Sequence, residues 1–95
     1  MKTYELAVIL RADREETEVK RDVEAVKALL EKTPQCSVVN MDPWNRRKLA
    51  YPIDDHFFGF YVVFDVNIEP ATLKELRQAL ALNDRVLRFM FLRKD

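Results

Sequence analysis

Polar and apolar positions set out the elements in chain order. Tyr4, Leu6, Val8 and Leu10 alternate with Glu5, Ala7, Ile9 and Arg11. A period of two is the pattern of a strand, and the half-apolar second set predicts a central strand covered on more than one side. Asp13 followed by Glu16 has capping-box spacing. Val19, Val23, Val26 and Leu30 then recur at intervals of four, three and four, widened by Leu29, which predicts an amphipathic helix to about Lys32. Thr33-Pro34 stops it, because proline clashes with continued helical geometry.

Gln35 to Met41 reads as a second strand carrying Val38 and Val39, interrupted at Asp42-Pro43. The stretch from Trp44 to Ile53 continues or returns it, with Leu49, Tyr51 and Ile53 on one side and Lys48 and Ala50 on the other. Arg46 and Lys48 point one way and Arg47 the other, since side chains alternate along a strand. Pro52 cannot donate to a ladder and places this segment at an edge or strand end. After the polar turn Asp54-Asp55-His56, Phe58, Phe60, Val62, Phe64 and Val66 line one face of the strongest strand. Gly59 within it marks a bend, a bulge or a close approach. Glu69-Pro70 opens a second helix with stripe Leu73, Leu76 and Leu80. Asn83-Asp84 is a turn, and Arg85 to Arg93 is the last strand, with Val86, Arg88, Met90 and Leu92 against Leu87, Phe89 and Phe91.

Strand, helix, strand, strand, helix, strand is the α+β, ferredoxin-like βαββαβ order. Residues 1–95 make one such domain. Two right-handed crossovers predict a four-stranded antiparallel sheet of order 4-1-3-2 with both helices on one face. The other face would show Ala7, Ile9, Tyr61, Val63, Met90 and Leu92; the opposite phase of the last strand would show Leu87, Phe89 and Phe91 instead. An open apolar face on a small domain is docking ground for a partner.

Charge changes this picture by its placement. Lysine plus arginine and aspartate plus glutamate each number 16, so the net charge is zero and does not mark a polyanion binder. Acids crowd the first helix, whereas Arg85, Arg88, Arg93 and Lys94 follow one another with no acid between them. The basic run Arg46-Arg47-Lys48 reads either as a solvated hairpin tip or as a nucleic-acid contact. One cysteine, Cys36, allows no intrachain disulfide and fits a reducing compartment. The start Met1-Lys2-Thr3-Tyr4-Glu5 shows no secretory signal, and no apolar run approaches the ~20 residues of a membrane span. A cytoplasmic protein is expected.

Candidate chemistry is sparse. His56, the only histidine, lies in an acidic turn with no nucleophile to serve, so no catalytic residue is expected. Cys36 and His56 are too few for zinc. One glycine cannot build a phosphate cradle, and neither a metal nor a cofactor is expected. Phe57, Tyr61 and the last-strand phenylalanines suit base stacking as in RNA-recognition modules, but Phe57-Phe58-Gly59-Phe60-Tyr61 lacks the leading cation of that signature and core packing is preferred.

Met1-Lys2-Thr3-Tyr4-Glu5-Leu6, the block Arg46-Arg47-Lys48-Leu49-Ala50-Tyr51-Pro52-Ile53, Gly59-Phe60-Tyr61 and Leu82-Asn83-Asp84-Arg85-Val86-Leu87-Arg88 together resemble the bacterial small-subunit ribosomal protein S6 family. The likeness runs the length of the chain in order. It implies the same fold and a non-enzymatic protein that binds the central domain of small-subunit ribosomal RNA as a heterodimer with ribosomal protein S18. The RNA contacts it suggests here are Lys2, Tyr4, Arg46, Arg47, Lys48, Asn83, Arg85, Arg88 and Arg93. Ile9, Trp44, Tyr61, Val63, Met90 and Leu92 are the partner-binding candidates. Tyr51 is expected in the core. Pro34 and Asn45 stand where that family commonly carries glycine, near the end of the first helix and before the basic cluster. The alternative is a stand-alone or engineered ferredoxin-like scaffold, a protein-interaction domain that binds no RNA and self-associates through its open sheet or a strand edge.

Overall fold

The computed structural model describes residues 1–94. Strand β1 (Lys2–Arg11) leads to helix α1 (Glu16–Lys32), and strands β2 (Cys36–Ile53) and β3 (His56–Ile68) form a long hairpin. A 3-10 turn at Pro70–Thr72 precedes helix α2 (Leu73–Ala81), and β4 (Val86–Arg93) closes the order. The sheet is antiparallel throughout, in the order β2-β3-β1-β4, as the pattern predicts.

One core lies between the sheet and the helices. Tyr4, Leu6, Val8 and Leu10 of β1 and Phe60, Val62, Phe64, Val66 and Ile68 of β3 meet Val19, Val23, Val26 and Leu30 of α1 and Leu76 and Leu80 of α2. Burying each of these side chains contributes about 1.5–3 kcal/mol, the force that fixes the register. Phe89 and Phe91 of β4 pack half-buried against the same core.

Four local expectations are corrected. The N-cap of α1 is Glu15, with no side-chain cap bond, because the Asp13 carboxylate is taken by Arg85. Asp42-Pro43 does not interrupt β2: Pro43 stands opposite Val62, and bulges at Val38/Asn40 and Pro43/Asn45 take up the irregularity. An edge strand tolerates proline because its outward N–H has no partner to lose. A bulge between Ile9 and Leu10 shifts the β4 register, so Leu87 joins the open side while Phe89 and Phe91 stay on the helix side. The second helix begins at Leu73, since Pro70 starts a 3-10 turn rather than the α-helix itself.

Candidate nucleic-acid and partner interface

The basic cluster sits on the outer strand. Asn45 adopts φ +67°, a left-handed conformation asparagine tolerates better than most residues, and the bulge there leaves Trp44 without a partner residue on β3. The Trp44 indole N–H donates to Asp42 at 3.0 Å, and Arg47 Nε donates to the Trp44 carbonyl at 3.0 Å, with its guanidinium 6.0 Å from the indole ring. The Arg46 guanidinium lies 3.8 Å over the Phe58 ring. Arg46 stands opposite Phe60 and Lys48 opposite Phe58 on the helix side; Arg47, opposite Gly59, is on the other. Among the described residues no carboxylate forms an ion pair with Arg46, Arg47 or Lys48. Aromatic faces and a carbonyl hold these arginines in place, and neither partner cancels their charge.

The sheet face turned away from the helices is open in part. Met90 is 60 % and Leu92 55 % exposed, next to half-buried Ala7 and Val63. At the other end the chain roofs itself. Between Lys48 and Ile53 the β2 backbone departs from the ladder and folds Leu49 and Ile53 onto Leu87, with Ile9 and Tyr61 packed against them. Gly59 permits this approach: a Cβ there would sit 2.5 Å from Ile9 Cγ2 and 3.2 Å from Leu49 Cδ2. The expectation of a wholly bare face is corrected, because Ile9 and Tyr61 form the floor of a cleft of about 430 Å³ bounded by Tyr51, Arg88 and Met90. Tyr51 is not core. The same departure from the ladder turns it out to 68 % exposure.

Several predicted RNA contacts are engaged elsewhere. Tyr4 is 5 % exposed, its ring edge-on to Phe91 at 6.4 Å, so it is a core residue. Asn83 accepts the Arg85 backbone N–H on its side-chain oxygen at 2.9 Å and shapes the turn into β4. Arg85 itself reaches back across the fold to Asp22 at 2.9 Å and Asp13 at 2.6 Å. That Arg85 hydrogen bond holds the Asp13 carboxyl below its ordinary range, against a smaller opposing effect of desolvation. Desolvation works against the Arg85 charge, and its bonds to Asp13 and Asp22 more than offset it. Arg85 is therefore a clamp between β4 and α1. Lys2, Arg88 and Arg93 remain at the surface, Arg88 with one guanidinium N–H on the Leu87 carbonyl at 2.8 Å. His56 accepts from Arg11 at 2.8 Å; a guanidinium only donates, so Nε2 is the acceptor. Burial pushes the Cys36 thiol up, away from reactivity. Among the described residues no group of histidine, cysteine and acidic side chains is placed to hold a metal.

The sequence reading missed the exposure of Phe57 and Phe58. Phe57 is 62 % exposed, and both flank the turn rather than entering the core.

The chain is similar to known proteins over nearly its whole length. Residues 3–93 match the family described as "Ribosomal protein S6". The chain is 42% identical over 95 residues to the small ribosomal subunit protein bS6 of Mycolicibacterium paratuberculosis, covering all of this chain and 98% of that one. It is 44% identical over 94 residues to the bS6 protein of Saccharopolyspora erythraea, covering 99% and 79%. The crystal structure of 30S ribosomal protein S6 from Thermotoga maritima superimposes with a TM-score of 0.88 at 25% identity, covering 98% of this chain and 87% of that one.

Proposed function

The chain belongs to the ribosomal protein S6 family, and from that premise we propose that it binds the central domain of small-subunit ribosomal RNA as a heterodimer with ribosomal protein S18. It is a structural protein of the small ribosomal subunit and not an enzyme. The observation that carries the proposal is a pairing of two surfaces: solvent-exposed Met90 and Leu92 on the open sheet face, and a basic rim, Arg46-Arg47-Lys48, that no acid among the described residues pairs with.

The apolar surface, Met90, Leu92 and Val63 with the Ile9–Tyr61 cleft and Trp44 at the hairpin, receives the protein partner. The rim, with Lys2, Arg88 and Arg93, meets phosphates. Phosphate contacts position a protein without reading sequence. A net-neutral chain gains affinity from a joint surface, to which the partner brings positive charge.

Filter binding of a central-domain RNA fragment, with and without S18, tests this. Tight binding should require both proteins. The double substitution Arg46→Ala/Arg47→Ala should flatten the slope of log K against log salt by about one to two. RNA affinity no better with S18 than without it would reject the heterodimer, and an unchanged salt slope would remove the two arginines from the contact.

A further inference from the structure

Resting on the RNA-binding reading above, we propose that Phe57 and Phe58, with the Arg46 guanidinium laid on the Phe58 ring, form a stacking site for an unpaired RNA base. Phosphate positioning alone needs no aromatic groups, so the site adds a kind of contact which that reading does not contain.

The distribution of aromatics is the first argument. Every aromatic side chain that is exposed, namely Trp44, Tyr51, Phe57 and Phe58, lies on the β2–β3 hairpin, among the described residues. Elsewhere aromatic rings are buried or half-buried. Phe57 leaves 62 % of itself in water. These rings flank the three cations of the rim, with Arg46 on Phe58 and Arg47 beside Trp44, the composition of single-strand binding surfaces, where bases stack on rings and backbone phosphates follow the positive charge.

Geometry is the second. A cleft of about 320 Å³ opens between Phe57, Phe58, Arg46, His56, Asp55 and Asp13. Bases stack on aromatic rings and on guanidinium planes alike. Arg46 covers one face of Phe58 at 3.8 Å, so its own outer plane extends that stack, while Phe57, the neighbouring residue on β3, alternates to the other side of the strand and borders the cleft at its rim. The rim is held in place: Asp13 is bonded to Arg85 and His56 to Arg11. Asp55 lines the cleft, and a carboxylate there accepts an amino or imino N–H of a base and repels a phosphate. The backbone is thereby directed along Arg46–Lys48, with the base turned inward. A paired base, already stacked on both sides, presents no free face to this cleft, so the occupant is a loop, bulge or end nucleotide.

The test uses the full chain with S18 and the central-domain RNA fragment. Phe57→Leu/Phe58→Leu should weaken binding roughly 5- to 150-fold, the range for loss of a base–aromatic stack, while leaving the salt slope and the melting temperature unchanged. Phe57→Tyr, which keeps a ring, should bind like the parent. Phe57→Trp, with Trp44 kept, should lose more indole fluorescence on saturation with RNA than the parent does, a readout independent of how well the double leucine variant folds. Equal affinity of the leucine variant and the parent, or a fluorescence loss in the bound complex no greater than the parent's, overturns this inference and leaves the RNA-binding reading standing. Failure of the unaltered protein to bind RNA even with S18 overturns both.

Discussion

At the residue scale, the backbone is left-handed at Gln35, Asn45, Asp54 and Asp55, yet none of these is glycine. Asn and Asp tolerate that region through their short polar side chains, and Asp54-Asp55 make the two-residue loop with both φ positive that suits a twisted hairpin. Gln35 has no such excuse and carries strain of about 1–2 kcal/mol. The sequence marked Pro34 and Asn45 only as residues standing where the family commonly carries glycine; the left-handed backbone falls at Asn45 and, near the end of the first helix, at Gln35 rather than Pro34. The single glycine serves space, not torsion. Gly59→Ala pushes a methyl into Ile9 and against Leu49, and stability should fall by about 1–3 kcal/mol as the hairpin lifts from the sheet. A denaturant midpoint that does not move would show that Ile9 yields freely.

At the scale of elements, β1, α1, β3 and both helix stripes were legible because their burial follows a strict period of two or 3.6. Features set by partners far along the chain were not. The shift of Leu87 to the open side depends on pairing between β4 and β1, and Arg85 reads as a surface base until the fold brings it to Asp13 and Asp22. That clamp ties the last strand to the first helix, with a pH dependence of known sign. The folded-state pKa of Asp13 lies below its ordinary 3.8, so its contribution is full above that value and is lost as pH falls through the lowered one. Asp13 is partly exposed, which limits the pair to at most about 1 kcal/mol. Asp13→Asn should therefore melt slightly below the parent at pH 7, with the two curves converging in acid below the ordinary carboxylate range. Thermal melts across pH 2 to 7 check this, and a constant gap would assign the effect to something other than charge.

For the whole molecule, the two-layer architecture leaves one side of the sheet without helices, open at Met90 and Leu92 and closed at the other end by the chain itself. The sequence indicated this side through Met90 and Leu92, but not the end closed by Leu49 and Ile53, because that closure needs β2 to leave its ladder. Met90→Lys/Leu92→Lys alters exposed positions, so stability should change by no more than about 0.5 kcal/mol per site. Association with S18 should drop at least tenfold, since two cations would enter the proposed apolar contact. Calorimetric titration alongside a thermal melt separates the two effects. Retained affinity would place the partner on a different surface.

The irregular course of β2 bears on a hazard common to proteins made before their assembly partners arrive. Its 18 residues form the outer margin of the sheet, long enough to recruit a matching strand from a neighbouring copy. Two bulges break the spacing such a strand would need, Pro43 withholds a donor, and the cluster from Arg46 to Lys48 repels its own image. The rim proposed to meet RNA therefore also disfavours edge-to-edge pairing of one copy with another.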